Sequence, residues 1–202
     1  MTDADNFSAV LAEQRAARRE AARLFCSAIA HADRAALAAT VQTMDQVGGW
    51  STAIRRAGKL RDLSGKGRRM FREFWLQSGD DIRDSVAGDL ELANVLRACL
   101  PRYTGRSKRL FRGESANNRR NRTYGLSWSA SRSVAAAFLE ARAPMYFGGT
   151  VLLVAQVPAE AIIASVPSAS DLYAEREFLV DRRGLTGTRV EVICRLPNLR
   201  EI

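Results

Sequence analysis

The stretch GTVLLVAQV, Gly149 to Val157, decides how the second half of this chain folds. Branched and leucine side chains fill it almost without a break, which marks a buried strand. RSVAAAFLEAR (Arg132–Arg142) precedes it as a helix, with Ser131 placed to cap that helix. Further upstream, KRLFRGE (Lys108–Glu114) and TYGLSWS (Thr123–Ser129) are short strand candidates. The polar run NNRRNR (Asn117–Arg122) between them reads as a solvated hairpin loop or as a clamp for an anionic acceptor. Downstream come a brief turn, PAEAIIA, a polar loop, SVPSASDLYA, and two further strands, EREFLVD and TRVEVICRL. The C-terminal half is therefore mostly sheet, with one helix near its middle.

The N-terminal half reads as helices. Ser8 to Ala30 is rich in Ala, Arg, Glu and Leu; Asp33 caps a second helix that Gly48-Gly49 ends. Ser51 to Leu60 is a short third helix, and SGKG (Ser64–Gly67) starts a fourth. There Met70, Phe71, Phe74 and Trp75 have core-facing spacing. Asp80 or Asp81, then Asp89, cap further short helices that end before Pro101. SGKG lacks the spacing of a phosphate-binding P-loop. The expected class is α+β, with a helical region at 1–100 and a second domain at 101–202.

Composition narrows the function. The chain has 202 residues, 47% hydrophobic and 26% charged, enough to bury a core without cross-links. Its apolar runs fall short of a membrane span. Cys26, Cys99 and Cys194 are isolated and odd in number, so they read as free thiols. A single histidine, His31, and the lack of a CxxC pair argue against a metal site. The start, MTDADNFSAV, is acidic and unlike a Sec-type signal peptide, so a cytoplasmic protein, or an effector exported by a signal-less route, is expected. The net charge is +9, and between Pro101 and Arg122 eight basic residues face only Glu114. That stretch is a solvated basic face or an anion site for phosphates or nucleic acid.

Three features of the second half carry chemistry, in this order: Arg112-Gly113 ending the strand LFRG, Ser127-Trp128-Ser129 ending the next strand, and Glu175-x-Glu177 opening EREFLVD. The set resembles the Arg–Ser–Glu class of mono-ADP-ribosyltransferases, which includes bacterial toxins, phage-encoded enzymes and ectoenzymes. The resemblance covers roughly residues 105–196. It departs from the family at Trp128, where a threonine is usual, and Ser129-Ala130-Ser131 is a second register for the serine motif.

The resemblance implies a split β-sandwich that takes NAD as substrate, needs no metal, and transfers ADP-ribose to an arginine-like acceptor. Arg112, Gly113, Ser127 and Ser129 would then bind NAD, and Ser127 would position the nicotinamide ribose and hold Glu177. Glu177 would stabilise the charge that builds on the ribose, and Glu175, with Tyr173 before it, would face the acceptor. The acceptor is a protein or a nucleic acid. Met145, Tyr146 and Phe147 before Gly148-Gly149 form an aromatic flap or an ordinary loop. Residues 1–100 support the cleft or recruit a partner, such as an immunity or carrier protein. The reading from another class is a non-catalytic nucleic-acid-binding protein that uses the basic segment 101–122.

Overall fold

The structure, a computed structural model, describes residues 3–86, 88–167 and 176–198. The chain is α+β and divides into two compact units, Met1–Pro101 and Arg102–Ile202.

The first unit is helical: α1 (Asp3–His31), α2 (Arg34–Val47), α3 (Trp50–Ala57), α4 (Gly65–Ser85) and α5 (Asp89–Cys99). Local signals set its boundaries. The Asp33 side chain accepts from the Ala36 amide at 3.0 Å and starts α2. Gly48 ends that helix in the left-handed region at φ 60°. Ser64 caps α4 through the Gly67 amide at 3.1 Å. Phe25, Ile29, Met44, Ile54, Phe71, Leu92 and Leu96 are fully buried. Phe25 meets Trp50 and Phe74 edge-on, with centroids 5.6 and 5.7 Å apart, the geometry aromatic quadrupoles favour. Arg68 closes the far end of α5, donating to the carbonyls of Ala98 and Leu100 at 2.8 and 2.9 Å. No helix among the described residues is long and apolar enough to cross a membrane.

The second unit holds one six-stranded antiparallel sheet in the order β4-β5-β2-β1-β3-β6. Its strands are β1 (Lys108–Ser115), β2 (Ser127–Ser129), β3 (Thr150–Val157), β4 (Ile162–Pro167), β5 (Arg176–Val180) and β6 (Val190–Leu196). β1 pairs with β3 over its whole length, and β3 pairs with β6. On the other side, β2 pairs with β5, and β5 with β4. Between these two three-stranded halves there is one residue pair, Phe111 opposite Ser129.

Alternation along the strands gives each half two faces. The first face carries Leu110, Val151, Leu153, Ala155 and Val157 from one half, and Trp128, Phe178 and Val180 from the other. All belong to a single buried cluster, so the strands on both sides of the one-pair pinch share the main core. The second face carries Phe111 and Leu152, over which α7 (Arg132–Arg142) lays Ala135 and Leu139.

Several elements differ from the sequence expectation. α4 runs unbroken through Asp80 and Asp81, because Ile82, 1% exposed, continues the stripe of Phe71 and Trp75. Asp89 lies in the first turn of α5, and Gly88 is the cap residue. The run NNRRNR forms most of a short helix, α6 (Ala116–Asn121), because Ser115 caps it through the Asn118 amide at 3.0 Å. Only the last three residues of TYGLSWS form a strand. The Thr123 amide donates to the Asn118 carbonyl and the Gly125 amide to a Glu114 carboxylate oxygen, so this segment bonds locally. IIASVP was expected as turn and loop. It forms β4, whose edge position tolerates Pro167.

Gly113 fixes where α7 crosses β1. A Cβ there would come within 2.8 Å of the Ala135 carbonyl oxygen and the Leu139 nitrogen, both main-chain atoms. Gly113→Ala is therefore expected to destabilise the protein by roughly 1–3 kcal/mol, the usual scale of overpacking. Thermal unfolding checks this, and an unchanged melting temperature would contradict the close approach.

Candidate active site

The three motif strands are neighbours. β1 carries Arg112-Gly113, β2 is Ser127-Trp128-Ser129, and β5 carries Glu177. Phe111 is opposite Ser129, and Ser129 is opposite Glu177. Directly opposed residues of antiparallel strands share a face, with Cβ atoms about 4.5–5.5 Å apart. One row on the second face thus reads Phe111, Ser129, Glu177. All three are partly exposed.

Ser129 and Ser127 share this face, being two apart. The register puts Ser129 beside Glu177, whereas Ser127 lies opposite Leu179. Ser129 Oγ accepts from the Ser131 amide at 2.9 Å, which leaves its hydroxyl proton to donate elsewhere. Ser131 caps α7, its Oγ accepting from the Val134 amide at 3.4 Å. The serine pair on the strand is therefore Ser127 and Ser129. Trp128 between them points to the opposite face. It is 2% exposed, meets Tyr124 edge-on and donates from Nε1 to the Gly125 carbonyl at 3.2 Å. The departure from threonine is thus taken up by the core and not by the row.

Arg112 stands on the first face, two residues beyond Leu110, away from Ser129 and Glu177. Its side chain is 16% exposed. Nη1 donates to the Ser127 carbonyl, and Nε donates to Glu114 Oε2 at 2.8 Å. The Leu126 carbonyl accepts from β5, so the next carbonyl, that of Ser127, faces β1. There the β1–β2 ladder has stopped, and the guanidinium takes the place of the missing strand partner. Nη2 lies against Gly125, where a Cβ would sit 2.2 Å from it. Arg112 is therefore a tie across the pinch. Gly113, for its part, serves the approach of α7.

Glu114 was not singled out from the sequence. Its side chain is 2% exposed, and it accepts from Arg112 Nε, the Gly125 amide (3.0 Å), its neighbour Ser115's amide (2.9 Å) and Asn118 Nδ2 (3.0 Å). Burial pushes this carboxyl up, but the Arg112 charge and the Gly125, Arg112 and Asn118 donors outweigh it. The net effect holds it below the ordinary carboxylate value. A signal was available: Arg112 and Glu114 are two apart on a strand, hence on one face, and the sequence assigned only the arginine a role.

Glu175 and Tyr173 lie outside the described residues. The loop after α7 is tied at the Tyr146 carbonyl, which accepts from the Gly149 amide at 3.1 Å and from Asn198 Nδ2 at 3.2 Å. Met145 and Phe147 beside it are exposed. His31 ends α1, its ring nitrogen 2.9 Å from the Ser27 carbonyl, far in sequence from the motifs. Burial pushes the Cys26 thiol up to about 11 and the Cys99 thiol up to about 12, so neither is a nucleophile at neutral pH. No group of three or more His, Cys, Asp or Glu among the described residues could hold a metal ion. A hollow of about 450 Å³ lined by Thr52, Arg55, Arg56, Lys59 and Leu60 belongs to the helical unit and includes none of the motif residues.

No protein-family model matches the chain, and neither the curated proteins nor the solved structures include a significant match.

Because its folded pKa is depressed, Glu114 contributes stability above its unfolded pKa that is lost as pH falls through the folded value. Glu114→Gln is expected to cost about 3 kcal/mol at neutral pH, the scale for stranding one partner of a buried pair. It should also flatten the acid side of the stability profile. Urea unfolding from neutral pH down through the carboxylate range measures both, and a variant with wild-type stability and slope would contradict the assignment.

Proposed function

We propose that the chain is an NAD-dependent mono-ADP-ribosyltransferase with an ADP-ribosyltransferase-like split sandwich in its second unit. The observation that carries this reading is the double pairing of Ser129, with Phe111 on one side and Glu177 on the other. Residues 112, 127–129 and 177 are widely spaced in sequence, yet their strands are consecutive in the sheet. The sheet's two halves, joined at one pair, also suit a split sandwich.

In this reading the nicotinamide–ribose bond of NAD breaks, and nicotinamide leaves with the bonding electron pair. Positive charge builds on the ribose, where the Glu177 carboxylate stabilises it and accepts from the 2′-hydroxyl. The Ser129 hydroxyl, adjacent in the row, holds the ribose and the carboxylate in register. A neutral nitrogen of the acceptor guanidinium then attacks the ribose carbon, and Glu175 takes the proton that nitrogen loses. The two carboxylates keep separate tasks.

The competing reading, a nucleic-acid-binding surface made by the basic segment 101–122, is weakened by where its charges lie. Lys108 and Arg109 stand on opposite sheet faces, over Phe178 and Phe111 respectively, and Arg112 is internal. A nucleic acid remains an alternative acceptor to protein.

The test is incubation of the purified protein with labelled NAD and a cell lysate, followed by separate protease and nuclease treatment. Nicotinamide release with protease-sensitive label is expected; neither release nor label in any fraction would refute the reading. Glu177→Gln should lower NAD cleavage by on the order of 10² to 10³-fold, the scale for removing one transition-state contact. Glu175→Gln should spare hydrolysis and impair transfer to arginine; equal loss of both would remove the division of labour.

A further inference from the structure

We propose that Arg109, and not Arg112, is the cation that meets the diphosphate of NAD. The inference rests on the transferase reading and changes which residue does the binding. Arg109 and Phe111 are two apart on an unbroken stretch of β1, so both lie on the second face. That is the face of Ser129 and Glu177, while Arg112 is on the other. The Arg109 guanidinium lies 5.6 Å from the centre of the Phe111 ring, so the side chain lies along the strand toward the row. A guanidinium held over an aromatic ring in this way keeps N–H donors that the ring does not use.

The surroundings suit an anion. Arg109 is exposed, and among the described residues no carboxylate pairs with it. Across β3, its opposite residue is Gln156, whose amide donates to Ser107 Oγ at 3.1 Å. Glu191, opposite Val154 on β6, is paired with Arg189 at 3.0 Å. Arg112, by contrast, already gives Nε to Glu114 and Nη1 to the Ser127 carbonyl. With about 3.3 Å of rise per residue and about 4.8 Å between strands, the Arg109 and Glu177 Cα atoms are roughly 12 Å apart. That span leaves room for a ribose beside the carboxylate and a phosphate beside the guanidinium.

The experiment compares steady-state NAD cleavage and thermal unfolding of the full chain with Arg109→Ala, Arg109→Lys and Arg112→Lys. Arg109→Ala is expected to raise KM for NAD by about ten- to a hundredfold, the range for losing hydrogen bonds to a charged group. Its kcat should stay within about twofold of wild type and its melting temperature should not move. Arg109→Lys should recover part of the affinity, since it restores the charge without the fork. Added salt should raise KM more steeply for wild type than for Arg109→Ala. Arg112→Lys should lower the melting temperature. An Arg109→Ala protein with wild-type KM overturns the inference and leaves the transferase reading standing; a wild-type protein that neither binds nor cleaves NAD overturns both.

Discussion

The Arg112–Glu114 pair sits where the sheet of the second unit is weakest. β1 and β2 meet at one residue pair, and past it the Ser127 carbonyl has no strand partner. A guanidinium fills that gap because its planar fork can serve the carbonyl and a carboxylate at once. The carboxylate in turn fastens the Gly125 turn and the start of α6. Removing either charge would leave the other buried and unpaired, which costs far more than the pair gains when intact. The position of β2, and with it the row Phe111–Ser129–Glu177, depends on this interaction.

The two faces of the sheet are filled differently on either side of this pinch. The face of Leu110, Trp128 and Phe178 is filled by residues from both halves. The opposite face is covered by α7 around Gly113 and Leu152, and stays open toward Arg109 and Gln156. The row lies between the covered and the open part.

Much of this was legible in the residues themselves. The α+β class, the strand at 150–157, the caps at Asp33, Ser64 and Ser131, and the core-facing Phe71, Phe74 and Trp75 follow from local signals that the structure keeps. What was not legible depends on partners distant in sequence. β4 becomes a strand through its pairing with β5. Thr123 and Gly125 bond to α6 and Glu114, so their segment leaves the ladder. The motif order singled out Arg112, Ser127 and Glu177, but only the register shows that Ser129 stands beside Glu177 and that Arg112 faces the other way. Trp128, which broke the family pattern, is an inward residue whose identity answers to the core.

The central claim is that Ser129 and Glu177 act on one ribose as a unit. A double-mutant cycle on kcat/KM for NAD cleavage, using Ser129→Ala, Glu177→Gln and the double variant, tests it most directly. Coupled residues predict a double variant no slower than Glu177→Gln alone, with a coupling energy of about 1 kcal/mol or more. Additive losses, or a Ser129→Ala protein as active as wild type, would contradict the account.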